Sequence, residues 1–138
     1  MKKILIFAAV GLLCLACIGG YASYDSMFPM AEPAECPEAD DVVSASAFQN
    51  EGPPVALETD DLEKLLQGIG SAEPTRRLSV NDYPAAEAYC TVELETRERL
   101  CRYFIYTEGS QLYVEIPSEG IYIISQQTYD IITDCFNS

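Results

Sequence analysis

The stretch from residue 87 to residue 124 contains four strand-like segments joined by very short links, and it restricts the fold more than any other feature. The segments are Glu87–Glu95, Leu100–Thr107, Gln111–Ile116 and Ile121–Ile124. In the third segment, Leu112, Val114 and Ile116 alternate with polar residues, which is typical of a strand with one buried face. Because such short links cannot contain a crossover helix, consecutive strands must run antiparallel. The sequence therefore predicts an antiparallel meander.

Two amphipathic helices and two earlier strands complete the predicted domain. The first helix has an apolar stripe at i, i+3, i+4 and i+7, formed by Leu62, Leu65, Leu66 and Ile69. The second begins at the capping residue Ser125 and buries Thr128, Ile131, Ile132 and Cys135. Residues 42–48 and 54–57 form the early strands. The predicted fold class is α+β, with an antiparallel sheet of about five to six strands, two helices on one face, and the order β-β-α-β-β-β-β-α.

The first 22 residues have the composition of an export leader. Lys2 and Lys3 precede an uncharged apolar run that ends before Gly19. Cleavage after Ala22 fits the small-x-small rule, whereas Leu13–Cys17 resembles a lipobox with Cys17 as the lipidated residue; an uncleaved anchor is a third route. All three routes predict an extracytoplasmic protein of the bacterial cell envelope, lipid-anchored or secreted.

Beyond the leader, we expect a tether and a single acidic domain. Residues 23–41 are rich in Pro and Glu and lack periodicity, so they are predicted to be a semi-extended tether. Residues 42–138 are predicted to form one α+β domain.

Charge and composition exclude several classes of function. After residue 22 the chain has six Lys and Arg against 22 Asp and Glu, a net charge of −16. This charge repels nucleic acid and anionic lipid, so the expected partner is a basic protein or peptide, and the membrane is contacted only through the leader or its lipid. The chain has no His, which excludes His-dependent nucleophile systems and His-based zinc sites. We expect no cofactor and no metal.

Four cysteines remain outside the leader and are disulfide candidates: Cys36, Cys90, Cys101 and Cys135. Four cysteines allow three pairings. A tight hairpin centred on residues 95–96 would place Cys90 opposite Cys101, whereas a looser loop over residues 95–99 would separate them. Cys36 and Cys135 flank the domain and could join its ends. Buried free thiols are the alternative to disulfides.

Tyrosines and carboxylates on one sheet face suggest a binding surface. Strand alternation places Tyr89, Glu93, Tyr113 and Glu115 on the face opposite the core. With both helices on the inner face, we expect this outer face to be uncovered, acidic and rigid. The alternative location is the connection from Ser71 to Pro84, which contains Arg76 and Arg77.

Several stretches give the chain a resemblance to a known family. They are residues 39–44, 71–75, 79–82, 104–106, 113–115 and 120–122, the last being Gly-Ile-Tyr. The chain resembles the domain of unknown function 5301 family over about residues 39 to 134. The resemblance implies a small exported or lipid-anchored protein of Gram-positive bacteria, and it supplies no catalytic residues. One departure is Ile116–Glu119, where a Gln-Pro-aromatic approach to the Gly-Ile-Tyr turn is expected.

These observations predict a membrane-tethered binding or interaction module without catalytic activity. One alternative is an inhibitor or sensor accessory of a cell-surface enzyme, which a protruding loop at residues 71–84 would favour. Another is a small carboxylate-dependent hydrolase, which would require a deep pocket with two converging carboxylates.

Overall fold

The computed structural model describes residues 2–138, with side chains described from residue 6 onward. Two compact units divide between Met30 and Ala31. The first contains helix α1 (Lys2–Met27). Within the described residues, this is the one helix long and apolar enough to cross a membrane, over Ile6–Met27, and its N-terminal position is equally that of a signal sequence.

The second unit contains one seven-stranded antiparallel sheet, two α-helices and a short 3-10 helix at Ala39–Asp41. Its elements are β1 (Val42–Gln49), β2 (Val55–Ala56), α2 (Thr59–Gly70), β3 (Glu73–Pro74), β4 (Cys90–Thr96), β5 (Leu100–Glu108), β6 (Gln111–Ile116), β7 (Gly120–Ile123) and α3 (Gln126–Cys135). The strand order is β2-β1-β4-β5-β6-β7-β3. The predicted α+β class and the β4–β7 meander are confirmed, and the short edge strand β3 is an addition.

The core lies between the inner face of the sheet and the two helices. Leu65 and Ile69 of α2 and Ile132 of α3 are fully buried in one cluster with Val92 and Val114 of the sheet. The Ser125 side chain accepts a hydrogen bond from the Thr128 amide, as expected of a helix N-cap. The helical periodicity thus places both helices on one face.

The N-terminal strap, which we define as residues 31–36, packs on this unit, although residues 23–41 were predicted to be a tether. The Ala31 amide donates to the Thr75 carbonyl oxygen at 2.9 Å, and the Tyr122 hydroxyl donates to the Glu32 carbonyl oxygen at 3.0 Å. Cys36 packs partly buried against the core. The small apolar side chains between the Pro and Glu residues allow this packing, so the unit begins at Ala31 and not at residue 42.

The β4–β5 hairpin has the looser of the two loops considered from the sequence. Glu95 lies opposite Leu100, and the Thr96 amide donates to the Arg99 carbonyl oxygen at 2.9 Å. In this register Cys90 lies opposite Ile105, and Cys101 lies opposite Leu94. The tight-hairpin alternative, which would have paired Cys90 with Cys101, is therefore not adopted.

Candidate binding groove

The outer face of the sheet is covered, at its β5–β7 side, by the segment between β3 and β4. This covering segment comprises residues 75–89 and has no regular secondary structure. At its start, the Thr75 hydroxyl donates to the Ile121 carbonyl oxygen at 2.6 Å, and the Ile121 amide donates to the Arg77 carbonyl oxygen at 3.3 Å. Farther along, the rings of Tyr83 and Tyr89 pack on Phe104 at 5.8 and 5.5 Å between centroids. The expectation of an uncovered outer face is therefore wrong.

A buried carboxylate fastens the covering segment to the sheet. Glu115 of β6 is 5 % exposed, although it was expected on an open face. The Ser79 hydroxyl donates to one of its oxygens at 2.7 Å, and the Tyr106 hydroxyl donates to the other at 3.2 Å. Burial, followed by the charge of Glu115, raises the pKa of Tyr106, so this phenol stays protonated and able to donate at neutral pH.

Arg77 joins the two alternative sites considered from the sequence. Its guanidinium lies over the Tyr113 ring, 5.2 Å from the centroid, and pairs with the Glu108 carboxylate. Because both charged side chains are about half exposed, this pair adds little stability and serves mainly to orient Arg77. The Tyr113 face and the Arg77 loop therefore form one surface.

A groove of about 480 Å³ lies between the covering segment and the sheet. Tyr106, Glu115 and Ile121 contribute to its lining from the sheet, and Leu78, Val80 and residues 85–88 contribute from the covering segment. Leu78 is 60 % exposed and Val80 80 % exposed, on either side of the buried Ser79. Exposed apolar side chains held on a fastened segment are a feature of interaction sites.

The charges that line the groove are mostly negative. Glu87, Glu108 and Glu115 supply three carboxylates, against the single guanidinium of Arg77. Both Glu115 oxygens already accept a hydrogen bond, but a carboxylate has about four lone-pair sites and can accept more. The groove therefore suits a cationic group attached to an apolar chain.

The four predicted binding residues do not all belong to this groove. Glu115 lines it, and Tyr113 lies beneath Arg77 at its border. Tyr89 is half-buried against Phe104, and Glu93 accepts from Arg102 across the β4–β5 pair at 2.9 Å; neither lines the groove.

Sequence reasoning missed Leu78, Val80, Ser79 and Tyr106. One signal was present: a polar Ser79 lies between two apolar residues, which is the alternation of an extended segment with one buried side chain.

The cysteine candidates are unbonded in the structure. Cys101 is buried, and Cys36, Cys90 and Cys135 are partly buried. The Cys135 thiol donates to the Ile131 carbonyl oxygen within α3 at 3.0 Å. Within residues 2–138, no group of three or more Cys, Asp and Glu side chains is arranged to hold a metal ion.

Comparisons with known proteins agree with the fold. No curated protein matches the chain. The chain is similar to the solved "NMR structure of the protein from Ruminococcus gnavus", with 29 % sequence identity and a TM-score of 0.61, covering 72 % of this chain and 98 % of that one. The family model DUF5301, described as "Domain of unknown function (DUF5300)", matches residues 30–123, a range that includes the strap and the covering segment. The chain belongs to this family of unknown function.

Proposed function

We propose that this protein is an exported, membrane-tethered binding module without catalytic activity, and that its groove binds a basic segment of a protein or peptide. The observation that carries the proposal is the pairing of exposed apolar side chains, Leu78 and Val80, with an acidic lining. An apolar centre with complementary charge gives both affinity and orientation to a bound segment. The apolar helix α1 supports export or anchoring, because signal sequences and membrane anchors share its composition and N-terminal position.

The two alternative functions receive less support. An enzyme inhibitor would use a protruding loop, but Thr75 and Ser79 fasten this segment to the sheet. A glycosidase-type hydrolase needs two carboxylates across a cleft. Of the three carboxylates that line the groove, Glu115 already accepts hydrogen bonds at both oxygens and Glu108 is paired with Arg77.

Fluorescence anisotropy with labelled synthetic peptides tests the proposal. The probe is a peptide of alternating Lys and Leu, and the reference is a peptide of alternating Glu and Leu. We expect saturable binding of the first and none of the second. Val80→Ser and Glu87→Gln should each weaken binding by about fivefold or more, since losing one apolar or charged contact costs about 1 kcal/mol.

Two matched control variants distinguish binding in the groove from non-specific binding to the rest of the surface. Val43→Ser removes an apolar side chain that is 65 % exposed on β1, and Glu63→Gln removes one negative charge from the exposed side of α2. Both should bind within about twofold of the wild type. An equal loss in a groove variant and its matched control would show that the peptide binds through overall charge, for the Glu pair, or through exposed apolar surface in general, for the Val pair, and not in the groove.

A further inference from the structure

Two cysteines approach one tyrosine where the strap crosses the inner face of the sheet. Cys101 and Tyr103 lie two residues apart on β5, so their side chains are on the same face. Both are buried, with 8 % and 1 % exposure. Cys36 in the strap packs, partly buried, against the hydrophobic cluster that contains both Cys101 and Tyr103.

A surface cleft gives access to this cluster. The cleft has a volume of about 400 Å³, and Cys101 and Tyr103 line it together with Glu35, the neighbour of Cys36 in the strap. A small disulfide compound can therefore reach Cys101 without unfolding the domain.

We propose that Cys36 and Cys101 form a disulfide bond that fastens the strap to β5. The oxidant is a small-molecule disulfide such as oxidised glutathione. One cysteine thiolate attacks it, forming a mixed disulfide and releasing one glutathione thiolate. The second protein thiol, deprotonated, then attacks the protein sulfur of the mixed disulfide and releases a second glutathione. Two protein thiols are oxidised, and one glutathione disulfide is reduced to two thiols.

The other cysteines are placed differently. Cys90 lies opposite Ile105 in the β4–β5 ladder, and its position on β4 is four residues from that of Leu94, the residue opposite Cys101. The Cys135 thiol donates a hydrogen bond to the Ile131 carbonyl oxygen within α3. The strap thiol is therefore the best-placed partner of Cys101.

The surroundings of Cys36 predict slow, pH-dependent oxidation. Burial raises the pKa of Cys36 to about 11; the Tyr103 hydroxyl opposes this shift, and Glu119 and Cys101 add to it. Burial, the charge of Glu119 and the charge of this thiol also raise the pKa of Tyr122. Because exchange requires the thiolate, and its fraction rises tenfold per pH unit below the pKa, attack by Cys36 should accelerate about tenfold per pH unit.

Peptide mapping of the full chain in detergent tests the proposal. The protein is treated with oxidised glutathione at a series of pH values, then alkylated and digested with trypsin and a Glu-specific protease without reduction. Trypsin leaves Cys101 on the tripeptide Leu100–Arg102, and cleavage after Glu35 separates Cys36 from Cys14 and Cys17. We expect the tripeptide to be linked to the Cys36 peptide, with the mass lowered by two hydrogen atoms and a rate that rises with pH.

Cysteine-to-serine variants identify which cysteine forms the disulfide bond with Cys101. Cys36→Ser should leave Cys101 as a mixed disulfide with glutathione, whereas Cys90→Ser and Cys135→Ser should leave the yield of the link unchanged. The proposal is overturned if Cys101 and Cys36 both remain free or carry separate glutathiones in the wild type. A tripeptide linked to the Cys90 or Cys135 peptide overturns it equally.

Discussion

At the residue scale, Glu115 shows how a local pattern can place a side chain on the correct face and still misjudge its surroundings. The alternation of β6 correctly puts Glu115 opposite the core side, but Ser79 covers it from 36 positions earlier in the chain. Burying a carboxylate is costly unless hydrogen bonds replace its lost hydration. Ser79 and Tyr106 supply them. The partners are distant in sequence, so periodicity alone could not find them.

Gly120 provides a residue-scale prediction about the strap. A Cβ atom at Gly120 would lie 2.8 Å from the Ala31 Cβ, too close for a stable contact. We expect Gly120→Ala to lower the free energy of unfolding by about 1–3 kcal/mol, as overpacking does. Denaturant titration of the wild type and the variant measures the change.

A second substitution distinguishes this clash from a general intolerance of β7. Ala31→Gly removes the opposing methyl group, so the double variant Ala31→Gly with Gly120→Ala should recover most of the loss. Additive losses in the double variant would contradict the proposed contact between the strap and β7.

At the element scale, the contact between α2 and α3 depends on Gly68. A Cβ atom at Gly68 would overlap the side chain of Thr128, which is 3 % exposed. Alanine favours helix over glycine by about 1 kcal/mol, but the overlap costs about 1–3 kcal/mol in a packed interface. We therefore expect Gly68→Ala to be net destabilising or neutral, measured as a shift of the denaturant midpoint.

Gly70, in the same helix, is the matched control. A Cβ atom there meets no atom within 4 Å, so only the helix preference acts and Gly70→Ala should stabilise by up to about 1 kcal/mol. If Gly68→Ala stabilises as much as Gly70→Ala, the helices do not pack closely at Thr128.

The sequence predicts the regular elements well and the irregular segments poorly, for a physical reason. The stripe of α2 and the alternation of β6 reflect local periodicity imposed by burial, and the structure confirms both elements. The strap and the covering segment have no such periodicity in their sequences. Hydrogen bonds from Thr75, Ser79 and Tyr122 hold them in place instead. The groove lies beneath one such segment, so most of the candidate site could not be predicted.

At the scale of the whole molecule, the distribution of charge favours association with cations. The net charge of −16 after residue 22 produces self-repulsion in the compact state, and surface ion pairs such as Arg102 with Glu93 offset only a little of it. A bound basic segment would relieve part of this repulsion, which agrees with the proposed ligand.

Alkaline pH should destabilise the whole molecule through its buried thiols and phenols. Burial raises the pKa of Cys36 from 9.0 to about 11, and it also raises the pKa values of Cys90, Tyr103 and Tyr106. Between the unfolded and folded pKa values, the native state binds more protons than the unfolded state. Stability is therefore fully present below the unfolded value and is lost as pH rises toward the folded one.

We expect the free energy of unfolding, measured by denaturant titration in the presence of a reductant, to fall steadily between pH 9 and pH 11, the interval over which the pKa of Cys36 is raised. One thiol contributes at most about 1.4 kcal/mol per pH unit. Cys36→Ser removes that contribution and should make the slope shallower, whereas Cys17→Ser, which changes an exposed cysteine of α1, should leave it unchanged. A wild-type free energy that is constant or rising over this interval would mean that Cys36 is not buried against Tyr103, and that the strap does not pack on the sheet in solution.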